Sequence, residues 1–272
     1  MKKGALFTAI ITVLVMMGGY IVCASKVKQY RDQISSSQRA SAFMVSPTLL
    51  KIAAGEFKGI LADYLLLKGS IFLGGRYQTT AGDLEAVYML FKQSLALDPY
   101  FFQTCYYIQA FLPWAGIMPR KAVELLEICN RHRHWDWNPG YFIGFDYFYF
   151  LKDNKNASRY LMEASRKPQA PLLLGMLGAR LAQREGQTKT AITFLKTMYE
   201  KTDNEDAKNQ VELRIKALYG VLVLEQGISQ FTSRFGCLPK TLEELVSRGI
   251  LKEIPKNPYK KPYTYENGQI GF

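Results

Sequence analysis

Histidine is nearly absent from this chain: His132 and His134 are its two copies in 272 residues. They lie two apart in RHRHWDW (131–137), a spacing that sends the side chains to different sides of a helix. Cys129 and His132 could share a face, yet a zinc site needs more donors than that pair supplies, so no metal is expected. Cysteine is also sparse, with four copies and no CxxC, which argues against a zinc knuckle and a thioredoxin-like redox pair. Cys23 falls in an apolar N-terminal run, leaving Cys105, Cys129 and Cys237. Cys105 and Cys129 are read as buried free thiols in preference to a bridge between neighbouring helices. Acidic residues are scarce too, 23 against 35 Lys and Arg, for a formal charge of +12. That excess points to an anionic neighbour, either a membrane surface or an acidic protein. An arginine-rich arm and a nucleic-acid motif are both missing, so nucleic acid is not an expected partner.

The absences extend to catalysis. EGQTKT (185–190) lacks the Gly-Lys pair of a phosphate-binding loop. Asp and Glu are scattered without a paired acid/base arrangement. The chain is therefore read as a non-enzyme without cofactor. Asn156-Ala157-Ser158 matches the glycosylation sequon, which says nothing in a bacterial protein.

What the chain does contain begins at its N-terminus. Two lysines precede 21 uncharged residues, Gly4–Ala24, and Lys26, Lys28 and Arg31 follow. At about 1.5 Å per residue such a helix just crosses a hydrocarbon core of roughly 30 Å. The run exceeds the apolar stretch of an ordinary signal peptide, so an uncleaved single-pass anchor over residues 1–25 is favoured. A lipoprotein site at Cys23 is disfavoured by the bulky Val22. Basic residues flank both ends and leave the orientation weakly marked. By analogy with short-tailed bacterial anchors, the expected location is the bacterial inner membrane with the bulk in the periplasm.

A linker is expected over 26–48, and helical periodicity follows over 49–202. GFDYFYFLKDNKNASRYLMEAS (144–165) opens with five aromatic rings in seven residues and then turns into a helix rich in small residues. That helix recurs. Copies lead with Ala86, Ala122, Ala157 and Ala191, spaced 36, 35 and 34 residues apart, and the last three carry Leu126, Leu161 and Leu195 four residues on. Each is preceded by a more apolar helix, and proline sits near the joints at Pro99, Pro139, Pro168 and Pro171. A period near 34 with small residues where helices must approach resembles the tetratricopeptide repeat. The family's tryptophan at the start of the first helix is absent. The resemblance implies an all-α solenoid of helical hairpins whose first helices line a concave groove for protein partners. The aromatic helix reads mostly as core, with Tyr107, Phe145 and Tyr149 as the groove candidates by position.

The last third differs. Val211, Ile215, Leu218, Leu222, Ile228 and Phe231 recur at near-helical spacing, predicting a long helix over 203–236 that caps the stack. Thr241 and Glu244 offer a capping box for a short helix, and Asn267-Gly268 separates two alternating runs, a β-hairpin signal. The order of long helix, FGCLPKTLEELVSRGILKEIPKNPYKKPYTY and hairpin, over 237–272, resembles the tail of type II secretion major pseudopilins. Prepilins are also cleaved after a glycine such as that in KKG, but the fifth residue beyond it is Ala9, where pilins carry Glu. The resemblances together imply a membrane-anchored protein-interaction scaffold of a secretion, pilus or other envelope complex. The alternative is a structural subunit of a pseudopilus-like filament or membrane complex.

Overall fold

The recurring alanines are where the helices meet: Ala86, Ala122, Ala157 and Ala191 are all wholly buried. Leu126, Leu161 and Leu195, one turn later, are buried with them. The computed structural model describes residues 2–33, 46–74, 81–114, 117–266 and 268–272, and the side chains of the first helix over 12–27. It is mostly helical, with one two-stranded sheet, as the all-α reading expects.

The helices are α1 (Lys2–Gln33), α2 (Pro47–Ala54), α3 (Lys58–Gly74), α4 (Ala81–Leu97), α5 (Phe102–Phe111) and α6 (Pro119–His132). They continue with α7 (Asn138–Tyr149), α8 (Asn154–Ala164), α9 (Leu172–Arg184), α10 (Thr188–Glu200), α11 (Glu205–Phe235) and α12 (Glu243–Ser247). Local chemistry sets several starts. Ser46 accepts from the Leu49 N–H at 3.2 Å ahead of Pro47, Asp153 from Asn156 at 2.9 Å, and Asn204 from Ala207 at 2.9 Å. α11 ends at Gly236, whose φ is 72°.

Two compact units divide the chain at Asp98. In the first, α2 packs on α3 and α4, and the buried Ser94 hydroxyl donates to the Ala62 carbonyl at 3.0 Å. α1 continues to Gln33, beyond the anchor boundary placed at residue 25, and residues 34–45 of the expected linker lie outside the described residues. Among the described residues no helix is long and apolar enough to cross a membrane. In α1 the described side chains start at Thr12, whereas the uncharged run starts at Gly4.

In the second unit, α5 to α11 each pack against the next helix along the chain. Small residues permit the contact. A Cβ placed on Gly144 of α7 would lie 2.7 Å from Leu161 Cγ of α8, so the two helices approach closer there than a side chain allows. Hydrogen bonds also tie α6 and the turn after it to α8 and the residues that follow it. The Tyr160 hydroxyl donates to Glu127 at 2.6 Å, and Lys167 donates to Asn130 at 2.6 Å and to the Asp136 carbonyl at 3.0 Å.

One cysteine expectation is corrected. Cys105 of α5 and Cys129 of α6 are joined in a disulfide with Cα atoms 6.2 Å apart, whereas Cys23 and Cys237 are free and exposed. Both bridged residues are fully buried on facing sides of adjacent helices, which is the geometry that sequence spacing alone leaves open.

α11 serves two cores. Val211 and Leu218 pack with Ala182, Ile192 and Leu195 of α9 and α10, while Val221, Leu224, Ile228 and Phe231 pack with Leu242, Leu245, Tyr263 and Ile270 of the tail. Tyr263 lies against Gly220, in space any Cβ there would fill, and its hydroxyl donates to the Ala217 carbonyl at 2.9 Å. The strands β1 (Thr264–Glu266) and β2 (Gln269–Gly271) pair antiparallel with Tyr265 opposite Ile270. Asn267 of the expected turn lies outside the described residues. The expected capping box is shifted: α12 starts at Glu243 after Leu242, and Glu244 accepts from the Lys240 N–H at 2.9 Å. Leu242 is drawn into the tail core, which moves the start of the helix past Thr241.

Replacing Cys105 and Cys129 together by Ser is expected to cost roughly 3 kcal/mol, because the bridge removes loop entropy from the unfolded chain. Urea unfolding with and without reductant checks this. Reductant should lower the parent's midpoint to that of the double variant and leave the variant unmoved.

Candidate functional site

The aromatic helix α7 buries none of its rings completely. Its fully buried residues include Gly140, Ile143, Gly144 and Asp146, which form the face against its neighbours. Phe142, Phe145 and Tyr149 follow at i, i+3 and i+7 on another side, and Tyr149 is 46% exposed. The aromatic run was expected to be mostly core, and the outcome is divided: Tyr141, Tyr147 and Phe148 pack against the core cluster of Leu161, Leu174 and Leu181, whereas Phe142, Phe145 and Tyr149 lie on the flank.

Those rings join others. Phe145 stacks on Tyr149 with centroids 5.4 Å apart, and Trp114, from the segment after α5, lies over both at 6.1 and 5.5 Å. Phe150 meets Trp114 edge-on at 4.8 Å. Lys152 sits 5.1 Å over the Tyr149 ring at the rim. Tyr107 is half-buried and stacks on Phe111 at 5.5 Å. It reaches the same network through Tyr106, which meets Phe142 at 6.5 Å, and Phe142 leads through Tyr141 to Phe145. Tyr106 and Trp114 are 53% and 51% exposed. The three candidate positions thus belong to one half-buried aromatic surface on α5 and α7. Tyr106, Phe142 and Trp114 were missed. The 142/145/149 stripe was legible as a helical period, whereas Trp114 reaches the surface from a loop that no period marks.

Beneath this surface lies a buried polar pair. Gln109 of α5 donates from Nε2 to Asp146 Oδ1 at 2.9 Å. Gln109 Oε1 and Asp146 Oδ2 find no partner among the described residues. Burial pushes the Asp146 carboxyl up to about 7, against the opposing pull of the Gln109 hydrogen bond.

RHRHWDW has a structural use. Tyr100 stacks on Trp135 at 6.1 Å and meets His132 edge-on at 5.6 Å, and His134 lies against Trp135 at 5.0 Å. Arg133 pairs with Asp136 at 2.8 Å and donates to the Tyr100 carbonyl at 2.6 Å. Burial raises the Asp136 carboxyl, but hydrogen bonds from Asn138 and the Arg133 guanidinium outweigh it and hold the group below its usual range. Cys129, weighed beside His132 as a ligand, is consumed by the disulfide. Among the described residues no group of three or more His, Cys, Asp or Glu could hold a metal ion. No protein-family model matches this chain, and neither does any curated protein.

Asp146 dictates a pH dependence. An unfolded aspartate titrates near 3.9, well below the folded value, so the folded chain holds this proton more tightly. Its contribution to stability is greatest below about pH 4 and falls as pH rises to about 7. Asp146→Asn keeps an acceptor for Gln109 and removes the charge. It should flatten that slope and exceed the parent at pH 8 by on the order of 2 kcal/mol, read from urea unfolding at pH 5 and pH 8.

Proposed function

We propose that this protein is a membrane-tethered scaffold that binds other proteins through the aromatic surface of α5 and α7. The observation carrying this reading is the surface itself: large rings, half-exposed and held in mutual contact, on helices braced from behind. Rigid aromatic side chains give contact area at small entropic cost and dominate interface energetics. The helical hairpins are read as tetratricopeptide-type repeats. In support, the alanines spaced 34 to 36 residues apart are buried, and hydrogen bonds join residues 33 and 37 apart, Glu127 to Tyr160 and Asn130 to Lys167. Such arrays present binding surfaces and ordinarily carry no chemistry.

The N-terminal helix is read as the tether. Val13, Val15, Met16 and Tyr20 are each more than 60% exposed, an apolar face open to an apolar environment. The Cys105–Cys129 bridge favours an oxidising compartment, which is the periplasm if the protein is bacterial. A scaffold placed there suits assembly of a secretion, pilus or other envelope complex. The second reading, a subunit of a pseudopilus-like filament, is favoured by the tail, where a short helix and hairpin pack on a long helix as a module. Cleavage by a prepilin peptidase after Gly4 distinguishes it from the scaffold.

Two outcomes test the proposal. The full chain should remain in the membrane fraction after carbonate extraction, and a chain without residues 2–25 should be released; release of both removes the tether. For the surface, Trp114→Ala and Tyr149→Ala should each weaken partner crosslinking in native membranes by about tenfold or more, with thermal midpoints within a few degrees of the parent. Phe145→Ala, half-buried beneath Trp114, should lose binding and about 2–3 kcal/mol of stability together. Undiminished crosslinking in the Trp114 and Tyr149 variants would overturn the assignment.

A further inference from the structure

A second concave region lies where the C-terminal hairpin meets the helices. It is a cavity of about 610 Å³, and its chemistry is unlike that of the aromatic surface. Three arginines line it: Arg180 and Arg184, one turn apart on α9, and Arg214 on α11. Gln183 helps fix the wall by donating to the Ile270 carbonyl of β2 at 2.8 Å. The Arg214 guanidinium lies over the Phe272 ring at 4.4 Å, and its buried Nε has no hydrogen-bond partner among the described residues.

The guanidiniums are not locked to carboxylates. Two carboxylates, Glu185 and Glu266, face the same cavity, and Glu185 accepts from the Asn154 amide at 3.0 Å. Among the described residues no ion pair within 4.0 Å joins any of the three guanidiniums to a carboxylate. Burial lowers the pKa of Arg214; Tyr259, hydrogen-bonded to its side chain, opposes the shift, and the neighbouring Arg180 and Arg184 add to it. Like charges gathered around one recess repel, and an anion placed between them turns that repulsion into attraction. Guanidinium groups present planar paired donors that match the oxygens of carboxylate and phosphate groups.

We propose that this cavity is a binding site for a small multivalent oxyanion, a phosphoryl or polycarboxylate group bridged by Arg180, Arg184 and Arg214. The volume falls within the range of small-molecule sites and exceeds what a single inorganic phosphate fills. Because one wall is the hairpin and the other is α9 and α11, a bound anion ties the C-terminal module to the helices. The proposal is independent of the partner-binding surface.

The test titrates the full chain in detergent micelles with inorganic pyrophosphate in one arm and citrate in the other, at constant ionic strength set by sodium chloride. The expected result is a saturable rise in thermal midpoint in at least one arm, whose identity tells phosphoryl from carboxylate recognition. Arg180→Gln and Arg184→Gln change exposed side chains and leave the Arg214–Phe272 packing intact. Each should weaken the response by about tenfold or more, with calorimetry of the same titration as the second readout. No saturable response in either arm, or one equally strong in both variants, overturns the site.

Discussion

The close contact between α7 and α8 is the constraint from which the rest of the central region follows. Gly144 lets Leu161 reach the α7 backbone, and a Cβ on Gly140 would lie 3.0 Å from that of Ala164. With its closest contact given over to glycines, α7 sets Tyr147 and Phe148 at the edge of the core and turns Phe142, Phe145 and Tyr149 to the flank. Exposed aromatic surface is costly in water, and the rings reduce that cost by covering one another. The surface that results is therefore a consequence of tight helix packing.

α5 supports that surface despite having only ten residues. Cys105 and Gln109 stand one turn apart on its buried side. The first is bonded to α6 and the second to α7. A short helix gains little from its own hydrogen-bond ladder, so these two links hold it in place. Tyr106 and Tyr107, beside Cys105 in sequence, are thereby presented to the neighbouring rings. The Gln109–Asp146 pair couples this geometry to protonation, since a buried carboxylate is tolerated best when it is neutral.

The helical architecture was legible because its signals are periodic and local. The recurring alanines, the Asn204 cap and the apolar stripe of α11 all act within a few turns of chain. What escaped depends on contacts between distant residues. The outward turn of Phe145 is decided by glycines facing Leu161, and the aromatic content of α7 pointed the other way. The pairing of Cys105 with Cys129 depends on the relative rotation of two helices, which spacing does not encode. Trp114 reaches Phe145 and Tyr149 from a loop. Arg180, Arg184 and Arg214 are ordinary basic residues in sequence, and only the placement of α9 beside α11 brings them together. The shifted start of α12 shows local capping chemistry yielding to the burial of Leu242.

α11 carries a mechanical consequence. Its 31 residues make a rod of about 46 Å, bonded to α10 through Thr188 and Glu225 and to the tail through Tyr263. The two cores it serves are laid end to end along it, with Leu218 in one and Val221 in the other. The C-terminal hairpin is thus joined to the helices twice, along α11 and directly to α9 through Gln183 and Ile270. The arrangement lets the tail and the helical array share load through two routes, so loosening one contact does not free the module.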